Sequence, residues 1–181
     1  IPLAPFCGEM GLAPAAPGPH STIPPYRHGG NMDTKYLTKG ARLFLPIEVP
    51  GALYSMGDGH AAQGDGEVCG TAIETPMRAT VRLTVRDDMQ VSEPQFLTSG
   101  PLSPRTNTGP YYATDGIGPD MVEATRQAVR NMIAHIQRTY GLSRADAYML
   151  CSVVVDLKLC EVVDMPNWLV SAFLPQSIFT A

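Results

Sequence analysis

Glycine and proline limit the regular structure that this chain can form, because 17 of each occur among its 181 residues. Proline fixes φ and lacks an N–H donor, whereas glycine adopts turn conformations at little steric cost. Seven of the prolines precede residue 26, so residues 1–40 are expected to be loops. The rest of the chain is expected to be turn-rich, without low-complexity segments or internal repeats.

Composition excludes several classes of protein. The net charge is −4 and no basic run occurs, which argues against a nucleic-acid binder. No stretch of about 18 apolar residues is present, so no membrane association is expected. The four cysteines form no CxxC pair, which favours reduced thiols and a cytoplasmic protein. The chain starts at Ile1, without methionine and at once apolar, which suggests a processed or truncated chain.

The first half of the chain carries strand signals. The clearest is residues 77–86, where apolar side chains alternate with three arginines and two threonines. Weaker strands are expected at 42–49, 52–56, 68–74 and 93–98. Most of residues 89–118 is expected to be a connector.

Helix signals appear after residue 119. Asp120 and Glu123 form a capping box, an apolar stripe follows, and Gly141 ends the segment, so a helix is predicted near 120–140. Ser143 and Asp146 repeat the box and predict a second helix near 143–155. A strand near 157–163 and an apolar tail at 168–179 follow.

This order of elements predicts an α+β fold with two portions. Residues 1–76 are expected to form a loop-rich, sandwich-like or barrel-like β portion. Residues 77–181 are expected to form an α+β portion with the two helices.

Residues 57–67 hold three carboxylates, one histidine and four glycines, in the order Gly-Asp-Gly-His-Ala-Ala-Gln-Gly-Asp-Gly-Glu. Asp58 and His60 are two residues apart, so on extended backbone their side chains share one face. They are plausible ligands of a zinc-type cation, with Glu67 as a third ligand or as the general base. A calcium site from Asp58, Asp65 and Glu67 is an alternative. The GxGxxA match of residues 57–62 is rejected as a dinucleotide motif, because a carboxylate would repel the pyrophosphate.

A second polar cluster lies at residues 28–33, His-Gly-Gly-Asn-Met-Asp. Asp33 could supply a metal ligand, and Asn31 could donate a hydrogen bond to a substrate carbonyl; an Asx-type turn is the other interpretation. His135 is interpreted as a packing residue of the long helix, His20 as a surface residue, and Cys69 as a buried structural cysteine.

Several of these motifs together resemble the acetamidase/formamidase family. The resemblance covers nearly the whole chain, is most specific at residues 57–74, and is nearer to the formamidase branch. The other matching segments are 5–11, 24–33, 45–53, 111–114, 156–157 and 161–164.

The resemblance implies hydrolysis of small aliphatic amides to the carboxylate and ammonia by cytoplasmic homo-oligomers, in which divalent metals such as zinc have been found. It also implies a missing N-terminal portion, in the same protein or as a separate chain, with further acidic and histidine residues. The family combines a β-sandwich-like part with an α+β part.

The residues fit amide hydrolysis in two ways. In the first, Asp58, His60 and Asp33 hold a divalent metal, zinc rather than calcium, and Glu67 moves the proton. In the second, Glu67 acts without metal, and N–H groups of the glycine-rich segment, such as that of Gly59, stabilise the oxyanion. The rival hypothesis is a non-catalytic metal-binding assembly module.

Overall fold

The computed structural model describes residues 1–100 and 109–179, and they fall into two compact units. Residues 4–61 and 74–100 form one, here called the strand unit. Residues 1–3, 62–73 and 109–179 form the other, here called the helix unit. The units therefore interleave along the sequence, and a division after residue 76 stays a prediction.

The strand unit is built around a five-stranded sheet with the order β2-β3-β1-β5-β6. β1 pairs antiparallel with both β3 and β5. A separate two-stranded sheet pairs β4 with β7. The bounds are β1 Phe6–Gly11, β2 Pro25–Tyr26, β3 Gly29–Asn31, β4 Arg42–Phe44, β5 Ser55–Ala62, β6 Ile73–Glu74 and β7 Gln95–Leu97.

The expectation of loops throughout residues 1–40 is wrong, because β1, β2 and β3 lie there. Prolines border β1 and begin β2, so they end pairing without preventing it. The strand expected at residues 52–56 extends further, because β5 also includes Gly57–Ala62. Glycine weakens a strand locally, but pairing with β1 outweighs that preference.

The strand predicted at residues 77–86 does not form. These residues are exposed and carry no strand hydrogen bonds in the described part of the chain. Val81, Leu83 and Val85 are 46%, 65% and 70% exposed. Alternation identifies a surface that fits a sheet, but a strand also needs a neighbour to accept its backbone hydrogen bonds.

The helix unit packs two helices on a three-stranded antiparallel sheet of order β8-β10-β9. Both predicted helices are confirmed, with Asp120 and Ser143 as their N-caps and Gly141 in the left-handed region at the end of the first. The bounds are β8 Tyr111–Gly118, α1 Met121–Tyr140, α2 Arg144–Val154, β9 Asp156–Glu161 and β10 Trp168–Pro175, followed by a 3₁₀ turn at Gln176–Ile178.

The core of the helix unit lies between α1, α2 and β10. Met132, Ile136 and Leu174 are fully buried there, each stabilising the fold by about 1.5–3 kcal/mol. His135 is buried and stacks on Tyr112, which confirms it as a packing residue. β8 was missed because most of its side chains are exposed or half-buried, so no apolar alternation marks it.

Three further cysteine and histidine predictions have clear outcomes. His20 is exposed, as expected for a surface residue. Cys69 is half-buried rather than buried, since it lies in a turn after Glu67. The four cysteines are free thiols, as expected.

The fold class is α+β, as predicted. The strand unit supplies sheets, and the helix unit supplies both helices and a further sheet. Within the described residues, neither helix combines the length and apolar character that crossing a membrane requires.

Helix α1 approaches β8 closely at Gly116. A Cβ there would lie 1.8 Å from the carbonyl oxygen of Ala124 and 2.6 Å from the nitrogen of Ala128. The approach also lets Thr114 Oγ1 donate to the Ala128 carbonyl at 2.9 Å. Glycine at position 116 is therefore a packing requirement of the helix unit.

We expect Gly116→Ala to lower the free energy of unfolding by about 3 kcal/mol, because the new methyl group would press on helix backbone that cannot move aside. Gly118→Ala, in the same strand with open space around its Cα, is the matched control and should change it by less than about 1 kcal/mol. Urea unfolding followed by Trp168 fluorescence measures both; equal stabilities would contradict the packing argument.

Candidate functional site

His60 lies at the centre of a group of carboxylates in the strand unit. Its side chain is 1% exposed, and Nε2 lies 3.1 Å from Asp58 Oδ2, 3.2 Å from Glu74 Oε2 and 3.9 Å from Asp33 Oδ1. These four residues are called the His60 cluster. Ligand atoms of Asp58, His60 and Glu74 all lie within 4.8 Å of one another, as a shared cation requires.

Pairing of β5 with β1 and with the segment after β6 builds this cluster. Phe6 of β1 faces His60 in the register, and its ring meets the imidazole edge-on with centroids 5.0 Å apart. The N–H of Thr75 donates to the carbonyl of Gly59 at 2.7 Å, which brings Glu74 beside His60. A Cβ on Gly59 would lie 2.4 Å from the Thr75 carbonyl oxygen, so glycine permits this approach.

Two cluster carboxylates sit on unusual backbone. Asp33 has φ 45° and Asp58 has φ 54°, both in the left-handed region that side chains disfavour. Aspartate tolerates this region better than most residues, since its short side chain bonds locally. Outliers of this kind cluster at functional sites, where surrounding structure maintains the strain.

The negative charge of the cluster affects its neighbour Cys7. Burial raises the pKa of the Cys7 thiol, and the carboxylate of Asp58 raises it further. The thiol donates to the sulfur of Met77 at 3.7 Å. Cys7 therefore stays protonated and is a poor nucleophile.

Glu74 is the member of the cluster that sequence reasoning missed. It ends the segment predicted as a strand at 68–74, so it was counted as part of a sheet. Its nearness to His60 depends on the pairing of β5 with β6, which joins residues separated by a ten-residue connection. The available signal was its position, because Glu74 is the last residue of the segment 57–74, where the resemblance to a known family is most specific.

The remaining predicted site residues are Asn31, Glu67 and Asp65. Asn31 lies in β3, and its Nδ2 donates to the carbonyl of Ile23 at 3.0 Å. Glu67 belongs to the helix unit, with φ 40°, and its N–H donates to the carbonyl of Gly64 at 3.2 Å. Asp65, of the calcium alternative, is also in the helix unit, where its N–H donates to Asp156 Oδ1 at 3.1 Å.

Comparison with known proteins identifies the family. The model of the acetamidase/formamidase family matches residues 3–181. The chain belongs to this family. The formamidase of Methylophilus methylotrophus is 34% identical over 95% of the chain and 45% of its own length. The acetamidase of Mycolicibacterium smegmatis is 34% identical over 71% of the chain and 35% of its own length.

Solved structures agree with the family assignment. A gamma lactamase from Delftia acidovorans matches 99% of the chain and 58% of its own, with a TM-score of 0.78 and 25% identity. An acetamidase from Yersinia enterocolitica matches 100% of the chain and 51% of its own, with a TM-score of 0.54 and 30% identity. The chain thus spans less than half the length of these two curated family members, and just over half that of the two structures.

The geometry predicts that Glu74 contributes to cation binding. We expect Glu74→Gln to weaken zinc affinity by about tenfold or more, because it removes a negative charge 3.2 Å from His60 Nε2. Calorimetric titration with zinc measures this. Glu93→Gln, an exposed carboxylate of the same unit outside the cluster, should bind as the unaltered protein does. An unaltered affinity in Glu74→Gln would remove that residue from the ligand set.

Proposed function

We propose that this protein takes part in the hydrolysis of small aliphatic amides, formamide or acetamide, to the carboxylate and ammonia, using a divalent cation held by the His60 cluster. The observation that carries the proposal is the convergence of three carboxylates on one buried imidazole nitrogen. Family membership and relatives named formamidase and acetamidase support the amide substrate.

The donor set fits zinc better than calcium. Zinc accepts imidazole nitrogen together with carboxylate oxygen, whereas calcium takes oxygen ligands. His60 is the most buried member of the cluster, and the three carboxylates converge on its Nε2. A cation held between them would therefore bind an imidazole nitrogen. Asp58 and Glu74 would complete three ligands, and Asp33 is the candidate for a fourth.

The chemistry divides between the cation and the chain. A bound divalent cation lowers the pKa of a water and polarises the amide carbonyl. Asp58 and His60 would orient the cation, and a carboxylate of the cluster that does not bind the cation could accept the proton from the water. The departing nitrogen must gain a proton before it leaves as ammonia, so a general acid is also required.

Three roles remain predictions from the sequence. Glu67 is proposed as the general base, Asn31 as the donor to the substrate carbonyl, and Gly59 as a backbone donor to the oxyanion. Within the cluster, Asp33 competes with Glu67 for the proton when it is not itself a ligand. Turnover by Glu67→Gln and Asp33→Asn variants that still bind zinc would separate the two.

We also propose that a further polypeptide portion, in the same or a separate chain, completes the enzyme, and that the protein is a homo-oligomer. The relatives' greater length supports the first part. Residues 77–85 offer a surface for it, because their apolar side chains are exposed and their backbone has no strand neighbour among the described residues. A strand added from that portion would cover the exposed apolar side chains and pair with the backbone of residues 77–85.

Ammonia release from formamide and acetamide, with and without prior chelation, tests the proposal. We expect turnover that chelation removes and zinc restores, since the cation supplies the polarisation and the activated water. Asp58→Asn should lower it by at least about 100-fold, which corresponds to about 2.7 kcal/mol of barrier. Asp87→Asn, at an exposed carboxylate outside the cluster, is the matched control and should retain activity.

The other outcomes are equally informative. Turnover that survives complete chelation would contradict the metal and favour a carboxylate acting alone. Calcium binding without turnover would favour the assembly module. Zinc binding without turnover by residues 1–181 would mean that these residues hold the cation but are not sufficient for catalysis.

A further inference from the structure

Gly8 is the residue of β1 that lies against the side chains of Asp33, Asp58 and His60. A Cβ built on Gly8 would lie 2.4 Å from Asp33 Oδ1, 2.6 Å from Asp58 Oδ2 and 3.1 Å from His60 Cε1. Side-chain carbons do not approach other atoms within 3.0 Å without displacement. Three side chains, two from β5 and one from the segment after β3, therefore share the space left by one missing methyl group.

The requirement for glycine here is spatial rather than conformational. Gly8 lies in a regular strand and its φ is outside the left-handed region, so alanine could adopt the same backbone. Gly30, by contrast, has φ 99°, which side chains rarely adopt. Substitution at Gly8 thus changes the room available to the cluster without straining the strand.

Gly8 also holds Asp33 through its carbonyl oxygen, which accepts the N–H groups of Met32 and Asp33, both at 3.1 Å. These bonds fix the backbone of Asp33 in its left-handed conformation, with φ 45°. Gly8 thus holds the backbone of Asp33 in place and also leaves room for the carboxylates of Asp33 and Asp58.

We propose that Gly8 is a positioning residue that holds the Asp33 and Asp58 carboxylates against the His60 ring and keeps open the space that a cation needs. The proposal rests on the proposed metal function. It assigns Gly8 no contact with the substrate: Gly8 acts through the three side chains above it. A methyl group at this position would push the carboxylates apart and reduce cation affinity.

Gly8→Ala tests the proposal, with Gly57→Ala as the matched control. Gly57 lies in the adjacent strand β5, also outside the left-handed region, and its nearest neighbour for a new Cβ is Glu9 Oε2 at 3.8 Å. We expect Gly8→Ala to weaken zinc and cobalt affinity by about 10- to 100-fold, as loss of groups that orient ligands does. Gly57→Ala should bind within about twofold of the unaltered protein.

Two readouts separate positioning from general damage. The absorption bands of bound cobalt report ligand geometry and should change in Gly8→Ala alone. Amide nitrogen and proton NMR shifts of Asp33 and His60, recorded without metal, should also move in Gly8→Ala and much less in Gly57→Ala. Equal affinities and equal cobalt spectra in the two variants would overturn the proposal.

The design keeps failure of this proposal distinct from failure of the proposed function. If the unaltered protein binds neither zinc nor cobalt, the metal function fails, and the metal-free NMR comparison alone decides whether Gly8 positions the cluster. If Gly8→Ala does not fold, the unaltered protein is titrated with zinc and followed by NMR. On zinc binding, the backbone amide signal of Gly8 should shift more than that of Gly11 in the same strand. A Gly8 signal that does not shift would overturn the proposal.

Discussion

The antiparallel pairing of β1 with β5 is the constraint on which the candidate site depends. Its register sets Phe6 opposite His60 and Cys7 opposite Gly59. A slip of one residue would turn the alternating side chains of β5 to the opposite face and remove both His60 and Asp58 from the cluster. The buried ring of Phe6 against His60 stabilises this register, because the contact is lost in any other.

Several residues that carry candidate site chemistry adopt strained backbone conformations. Three of the five non-glycine residues with positive φ in the described part of the chain are Asp33, Asp58 and Glu67, all of which sequence analysis had chosen for their chemistry. Each such conformation costs of the order of 1–3 kcal/mol. A chain under selection for stability alone would place glycine there, so this coincidence supports a function for these carboxylates.

The two units differ in the size of their buried apolar cores. The helix unit buries a continuous apolar core between α1, α2 and β10. The strand unit has a small buried cluster around Cys7, Met10 and Leu37, and it leaves the apolar alternation of residues 77–85 in solvent. An exposed strand-like segment of this kind favours pairing with another polypeptide segment.

The sequence by itself determined what depends on neighbours along the chain. The caps at Asp120 and Ser143 and the helix end at Gly141 follow from local hydrogen bonding and backbone preference. Tertiary structure alone decided what depends on long-range pairing: that residues 77–86 find no strand neighbour among the described residues, and that Glu74 reaches His60 across a ten-residue connection. Periodicity specifies which face a side chain occupies, but strand order and register decide what that face meets.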